Sequence, residues 1–152
     1  MVALTLVEAY VDQLETAVAA ERNGAGRLEL CGPGEGGLTP SPALLRAVLD
    51  AVRIPVHAMV RPRTGDFVYT AAEFAQMRAE VAMVKAAGAA GVVFGISHPD
   101  GTLDLERMRD LGVRIVDEAE PGGGFKTAFV SPRSAHGVLI QFWQVPDLDA
   151  AW

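Results

Sequence analysis

The sequence contains a single cysteine, Cys31, so no internal disulfide can form. This composition is typical of proteins in a reducing cytosol. No apolar run approaches the roughly 18 residues needed to cross a bilayer, so we expect no membrane span. The amino terminus lacks a basic stretch and carries Glu8 and Asp12 early, which predicts that it is not a signal peptide. We therefore expect a cytoplasmic protein.

Basic residues are also few, with 13 Lys and Arg against 19 Asp and Glu, and the formal net charge is -6 at pH 7. No run of Lys or Arg occurs, so neither nucleic acid nor an anionic membrane is expected as a partner. A small anion or a metal ion is the kind of partner that such a chain can still bind. The 152 residues are 50% hydrophobic, which is enough for one buried core.

The first two thirds of the chain alternate between strand and helix patterns. Apolar runs bounded by Pro or Gly predict strands at residues 4–7, 27–31, 55–60 and 91–96. Helical spacing predicts helices at residues 11–23, 42–52, 71–87 and 103–111, the third capped by Thr70 and Glu73. Alternation through short loops indicates an α/β fold with a parallel sheet.

The pattern changes after residue 104. Short strands are predicted at residues 113–116, 127–130 and 138–143, and the loops between them leave room only for antiparallel connections. We therefore predict two domains, residues 1–104 and 105–152. Four parallel strands leave two open sheet edges, so we expect that the later strands cover one edge or that two chains associate.

Residues 54–69, IPVHAMVRPRTGDFVY, carry the densest set of candidate binding groups. Arg61 and Arg63 follow a buried strand, where α/β sheets place their sites, and Asp66 lies close in sequence. Two guanidinium groups there could hold a carboxylate or phosphate. Glu8 and Glu29 lie at or near the ends of the first two predicted strands. These two carboxylates could do acid/base work, bind a metal or form part of the same ligand site. The structural alternative is that these charges pair with one another and brace the loop.

Metal-binding candidates are sparse. Cys31 is the one thiol, and Met59 lies on the next predicted strand. Soft thiolate and thioether ligands suit Cu(I). The alternative is that Cys31 is a small buried apolar residue. The three histidines, His57, His98 and His136, show no ligand spacing.

Several motifs of residues 4–105 resemble the amino-terminal half of the CutC copper-homeostasis proteins. The matching stretches are RLELC at 27–31, GGLTPS at 36–41, MVRPR at 59–63, GDFVY at 65–69 and GVVFG at 91–95. The resemblance implies a cytoplasmic (β/α)8 barrel linked to copper handling, with copper as a ligand. It also implies that Glu8, Glu29, Arg61 and Arg63 lie at the barrel mouth. Full barrels have about 250 residues, so four βα units predict a partial TIM barrel.

Residues 105–144 resemble the close of a glyoxalase/methylmalonyl-CoA epimerase (VOC) module. The matching features are residues 111–118, the glycine loop at 122–124 and residues 136–141. That family builds βαβββ modules and uses a divalent metal, with a carboxylate ligand where this sequence has Gln141. The resemblance predicts an antiparallel, VOC-like end to the chain.

Three functions follow as hypotheses. The leading one is a copper-homeostasis protein that binds copper or a small anion at the carboxyl ends of its strands. The second is an epimerase-like metal enzyme, which the glutamine at position 141 and the missing histidine ligands disfavour. The third is a fusion of two domain fragments without activity. Whether the protein is an enzyme is left open by the sequence.

Overall fold

The structure is a computed structural model that describes residues 6–33, 36–112, 115–122, 125–130 and 140–144, the last three ranges as backbone. Contacts divide the chain into two compact units, Met1–Asp66 with Thr70–Gly95, and Phe67–Tyr69 with Ile96–Trp152. The domain division at residues 104 and 105 stays a prediction. No helix in the described ranges is long and apolar enough to span a bilayer.

The first unit is a four-stranded parallel sheet with helices between its strands. Its elements, in chain order, are β1 (Glu8–Val11), α1 (Leu14–Arg22), β2 (Arg27–Leu30), α2 (Pro42–Ala51), β3 (Val56–Met59), α3 (Ala71–Ala87) and β4 (Gly91–Val93). The strands lie in the order β1-β2-β3-β4, and every neighbouring pair is parallel. The α/β fold with a parallel sheet of four strands is therefore confirmed.

Local capping signals mark the start of α2 and both ends of α3. The Ser41 hydroxyl accepts a hydrogen bond from the Leu44 amide, and Pro42 occupies the first turn of α2. At α3, Thr70 and Glu73 form the predicted capping box. Gly88 ends α3 with a φ of 88°, a left-handed conformation that costs little without a Cβ. These signals place α3 at the predicted residues.

The two faces of the sheet differ in character. Leu28 and Leu30 of β2 and Val56 and Ala58 of β3 point to one face and are at most 2% exposed. This face forms the core with apolar side chains of the helices, among them Leu45, Val48, Met77 and Val84. Because side chains alternate along a strand, the opposite face carries Tyr10, Glu29, His57 and Met59. We call it the polar face.

The first strand does not lie where the apolar pattern predicts it. Strand β1 is Glu8–Val11, not residues 4–7. Residues 4 and 5 are outside the described residues, while Leu6 and Val7 precede β1 and are each 56% exposed. The prediction relied on local hydrophobicity and was wrong because pairing with β2 determines where the strand lies. In this pairing Glu8 is opposite Arg27 and Val11 is opposite Leu30.

The second unit contains α4 (Leu105–Asp110) and the strands β5 (Ile115–Gly122), β6 (Phe125–Val130) and β7 (Ile140–Gln144). These strands form a sheet of their own, in the order β5-β6-β7, with antiparallel pairing. Strand β5 is longer than predicted, since it includes Pro121 and Gly122, which the sequence pattern assigned to a loop. The predicted loop at residues 131–137 lies outside the described residues.

Candidate functional site

The carboxyl ends of β2 and β3 lie beside the loops that follow them. We call these ends and loops, residues 30–33, 36–40 and 59–66, the carboxyl edge. The Gly32 amide donates to the Leu38 carbonyl at 2.7 Å, so the loop returns to the strand from which it left. The Thr39 amide donates to the Arg61 carbonyl at 3.1 Å, and the Arg61 amide donates to the Thr39 hydroxyl at 2.8 Å. These bonds join the two loops of the edge.

Arg61 lies at the centre of the carboxyl edge. Its Nη1 donates to the Gly36 carbonyl at 2.8 Å, and its Nη2 donates to the Gly65 carbonyl at 2.7 Å. A Cβ at Gly36 would clash with this guanidinium group, and Gly36 also has a φ of 72°. The Arg61 side chain therefore holds both loops in place, with a positive charge between them.

Arg63 is engaged by carboxylates. Its Nε donates to Glu73 at 2.6 Å, its Nη2 donates to the Asp66 carboxylate at 2.9 Å, and its Nη1 donates to the Asp66 carbonyl at 2.9 Å. The hydrogen bonds to Glu73 and Asp66 raise the pKa of Arg63 above its ordinary value. Two hydrogen bonds lower the pKa of Glu73: the larger effect comes from the Thr70 amide and the smaller one from Arg63. Arg63 and Asp66 thus brace the loop against the start of α3. This arrangement is the one in which the charged residues pair with one another.

Glu8 lies at the opposite end of the sheet from the arginines. It is the first residue of β1 and forms an ion pair with Arg27, the first residue of β2. The expectation that Glu8 lies at a strand's carboxyl end was wrong because β1 begins at Glu8 and runs on to Val11. Its role in binding stays a prediction that the position of β1 disfavours.

Tyr10, Glu29 and Cys31 form a cluster on the polar face. The Cys31 thiol donates a long hydrogen bond of 3.9 Å to Glu29 Oε1, and the Tyr10 hydroxyl hydrogen-bonds Cys31. The pKa of Cys31 is raised to about 12, mainly by burial and to a smaller extent by the charge of Glu29. Burial, and then the charge of Glu8, raises the pKa of Glu29. Each group therefore favours its neutral form.

The raised pKa of Glu29 makes a pH-dependent prediction. The native state holds the Glu29 proton more tightly than the unfolded state, so wild-type stability falls as pH rises past the ordinary pKa of 4.5. We expect Glu29→Gln, which stays neutral, to raise the free energy of unfolding at pH 7. The difference should vanish well below pH 4.5. Urea unfolding at both pH values measures it, with the exposed Asp50→Asn as control; a deficit at pH 7 would contradict the raised pKa.

Soft metal ligands lie near this cluster. Cys31 follows Leu30, Met59 follows Ala58, and Leu30 and Ala58 are register partners, so the two sulfur-bearing residues occupy adjacent positions of β2 and β3. His57 pairs with Glu29 in the same register and is 8% exposed. In the part of the chain that the structure describes, no group of three or more His, Cys, Asp or Glu could hold a metal ion. Cys31 and Met59 are the soft-ligand candidates that the register of β2 and β3 brings to adjacent positions.

The sequence did not indicate two residues of the site, Thr39 and Tyr10. Thr39 accepts from the Arg61 amide and donates its hydroxyl to Glu80 of α3 at 2.6 Å, so it fixes the start of the Arg61 loop. Tyr10 is 54% exposed and borders Cys31. The alternation of Glu8-Ala9-Tyr10-Val11 could have placed Tyr10 on the polar face, had the strand been assigned there. Nothing in the sequence signals the partners of Thr39.

Four parallel βα units with helices between the strands define an α/β protein, a fold class in which ligand sites are commonly found at the carboxyl ends of the strands. A model of the CutC family matches residues 5–136. The chain therefore belongs to the CutC family, and the resemblance of its first part is confirmed. The match also extends over most of the segment in which we expected a VOC-like end.

Curated relatives and a solved structure agree with this assignment. The CutC family protein of Proteus mirabilis strain HI4320 is 50% identical over 98 residues, 64% of this chain and 39% of the relative. That of Salmonella paratyphi B is 46% identical over 109 residues, 71% of this chain and 44% of the relative. The crystal structure of CutC from Streptococcus agalactiae, named for copper homeostasis, matches with a TM-score of 0.66 and 26% identity over 71% of this chain and 53% of that one. The chain thus spans 39 and 44% of the length of these curated relatives.

Proposed function

We propose that this protein functions in copper homeostasis, as a cytoplasmic member of the CutC family that binds Cu(I) at the carboxyl edge. Family membership supports the role, and the copper-homeostasis name of the Streptococcus agalactiae relative supports the metal. The observation that carries the location is the adjacent register of Cys31 and Met59 at the ends of β2 and β3. On this view the four βα units are part of a TIM-type barrel.

The chemistry of the two sulfur atoms suits Cu(I), which prefers thiolate and thioether ligands. Only the thiolate of Cys31 can serve as a ligand, and the thiol has a pKa of about 12. Copper must therefore displace a tightly held proton, so its apparent affinity should rise with pH. Glu29, whose carboxylate accepts from the thiol, is the nearest group that could receive this proton.

A Cu(I) titration with a competing chelator tests the function. We expect the wild type to bind one Cu(I) ion per chain. Cys31→Ala should lower the Cu(I) affinity roughly 100-fold or more, because losing even a residue that only supports a metal ligand can lower affinity by that much. His98→Ala, which removes a half-exposed histidine outside the edge, is the control and should bind like the wild type. Equal binding by wild type and Cys31→Ala, or no binding by either, would contradict the proposal.

A small anion is a second proposed ligand of the carboxyl edge. Its support is the Arg61 guanidinium group, whose two terminal nitrogens donate to carbonyl oxygens of Gly36 and Gly65. An anion could replace these carbonyl oxygens as the partner of Arg61. Arg63 and Asp66 would then brace the loop, and Glu29 would lie beside the anion. Phosphate titration followed by NMR should give weak, salt-sensitive shifts that Arg61→Ala abolishes. Identical responses from both proteins would mean that Arg61 only joins the loops.

The VOC-like end of the chain, and with it an epimerase-like enzyme or an inactive fusion, stays a prediction without support from the comparisons. The antiparallel sheet β5-β6-β7 is compatible with many folds. The CutC match to residues 5–136 takes in most of the segment concerned. We therefore do not assign metal-enzyme chemistry to Gln141 or its neighbours.

A further inference from the structure

We infer that the Arg61 side chain controls access to the Cys31 thiol. While Arg61 is bonded to the Gly36 carbonyl, the backbone of Gly37 covers the sulfur, and an anion that takes over the guanidinium group uncovers it. The carboxyl edge would then couple its two proposed ligands. The inference rests on the small anion proposed above as a ligand of Arg61, and all the residues concerned belong to the first unit.

The backbone of Gly37 packs directly against the Cys31 sulfur. A Cβ added at Gly37 would lie 2.8 Å from the Cys31 Sγ and 3.4 Å from Cε2 of the Tyr10 ring, so no side chain fits between them. Gly37 is buried, and Cys31 is 0% exposed. Gly37 is therefore one of the groups that keep a dissolved reagent or ion from the thiol.

Arg61 holds the residue that directly precedes this cover. Its Nη1 donates to the Gly36 carbonyl at 2.8 Å, and Gly36 is exposed. On the other side of Gly37, the Leu38 carbonyl accepts from the Gly32 amide at 2.7 Å, and the Leu38 amide donates to the Gly32 carbonyl at 3.4 Å. Gly37 is thus held on the sulfur by a backbone bridge at one end and by an exposed side-chain hydrogen bond at the other.

An anion competes for this exposed hydrogen bond. The two terminal nitrogens of Arg61 donate to the Gly36 and Gly65 carbonyls, whereas a guanidinium group forms stronger, bidentate hydrogen bonds with a phosphate or carboxylate. The Arg61 backbone would stay in place, because its amide and carbonyl are both bonded to Thr39. Anion binding would therefore release the Gly36 carbonyl to water and free the segment at residues 36 and 37.

The coupling acts in both directions. A metal ion on the Cys31 sulfur needs a position beside that atom, and the Gly37 backbone lies there now. Two ligands that favour the same displaced arrangement of Gly37 raise each other's affinity by the same factor. An anion at Arg61 should therefore favour Cu(I) at Cys31, and Cu(I) should favour the anion.

Alkylation of native wild type by iodoacetamide at about pH 8 tests the inference without copper. The rate is compared in phosphate and in potassium chloride of equal ionic strength, and we expect Cys31 to react on the order of 10-fold faster in phosphate. Two other effects of phosphate have the opposite sign. Its charge disfavours the thiolate form of Cys31, and its exclusion from protein surfaces stabilises the folded state. Faster alkylation therefore reports that the sulfur is uncovered.

Amide chemical shifts in the same phosphate series separate this inference from the anion proposal. Shifts at Gly36, Arg61 and Gly65 combined with unchanged or slower alkylation would overturn the inference and leave the anion proposal standing. Absence of these shifts would refute the anion proposal, and the coupling with it.

Two matched variants locate the effect. Arg61→Ala removes the hydrogen bond to Gly36 and should abolish the acceleration by phosphate, whereas Arg46→Ala, at an exposed position of α2, should keep it. Circular dichroism confirms that both variants fold. If Arg61→Ala fails to fold, the wild-type rates in phosphate and chloride still decide the question. A folded Arg61→Ala that phosphate accelerates as much as the wild type would contradict the role of Arg61.

Discussion

Iodoacetamide is expected to alkylate Cys31 at least roughly 1000-fold more slowly in the native protein than in the unfolded protein at pH 8. The thiolate is the reactive form, and the pKa of Cys31 is raised to about 12, so only a very small fraction is ionised at this pH. The side chain is also 0% exposed, which slows reagent access further. Because the chain has one cysteine, mass spectrometry reads the modification at a single position.

The control for this experiment is Glu29→Gln. The charge of Glu29 is the second cause of the raised pKa of Cys31, after burial. We expect the variant to react somewhat faster than the wild type in the native state and at the same rate when unfolded. Native wild type reacting as fast as unfolded protein would show that Cys31 is accessible and ionisable, contrary to its burial beside Tyr10.

Leu28→Ala is expected to lower the free energy of unfolding by about 2–5 kcal/mol. Leu28 is 0% exposed and lies in β2, between two neighbouring strands and under the helices. Truncation removes buried methyl groups and leaves a cavity that a parallel sheet cannot easily close. Urea unfolding at fixed protein concentration measures the change, since association would otherwise alter it.

Leu6→Ala makes the same chemical change at a residue that is 56% exposed. We expect it to change the free energy of unfolding by about 0.5 kcal/mol or less. Equal losses from both variants would mean that the Leu28 face is not the core of the unit.

The parts of the fold that sequence predicted well are those specified by local chemistry. Thr70, Glu73 and Gly88 determine the ends of α3 within the chain itself, so the helix was placed correctly. Strand β1 was misplaced because residues 4–7 are more hydrophobic than Glu8–Val11, and only pairing with β2 distinguishes them. Long-range register is not encoded in a short window of sequence.

The sequence predicted which residues belong to the candidate site better than it predicted the contacts that they make. Arg61 and Arg63 do follow β3, as their position after an apolar run indicated. Their partners, Gly36, Gly65, Asp66 and Glu73, depend on how two loops and one helix meet, which spacing does not reveal. The misplacement of β1 alone moved Glu8 from the carboxyl edge to the other end of the sheet.

A map of Cu(I) binding by amide chemical shifts tests the proposed copper site most directly, and it is feasible because Cu(I) is diamagnetic. If Cu(I) binds between Cys31 and Met59 at the carboxyl edge, the shifts concentrate on residues 29–33, 36–39 and 57–61. Shifts concentrated around His98, or no shifts at a stoichiometric addition of Cu(I), would contradict it.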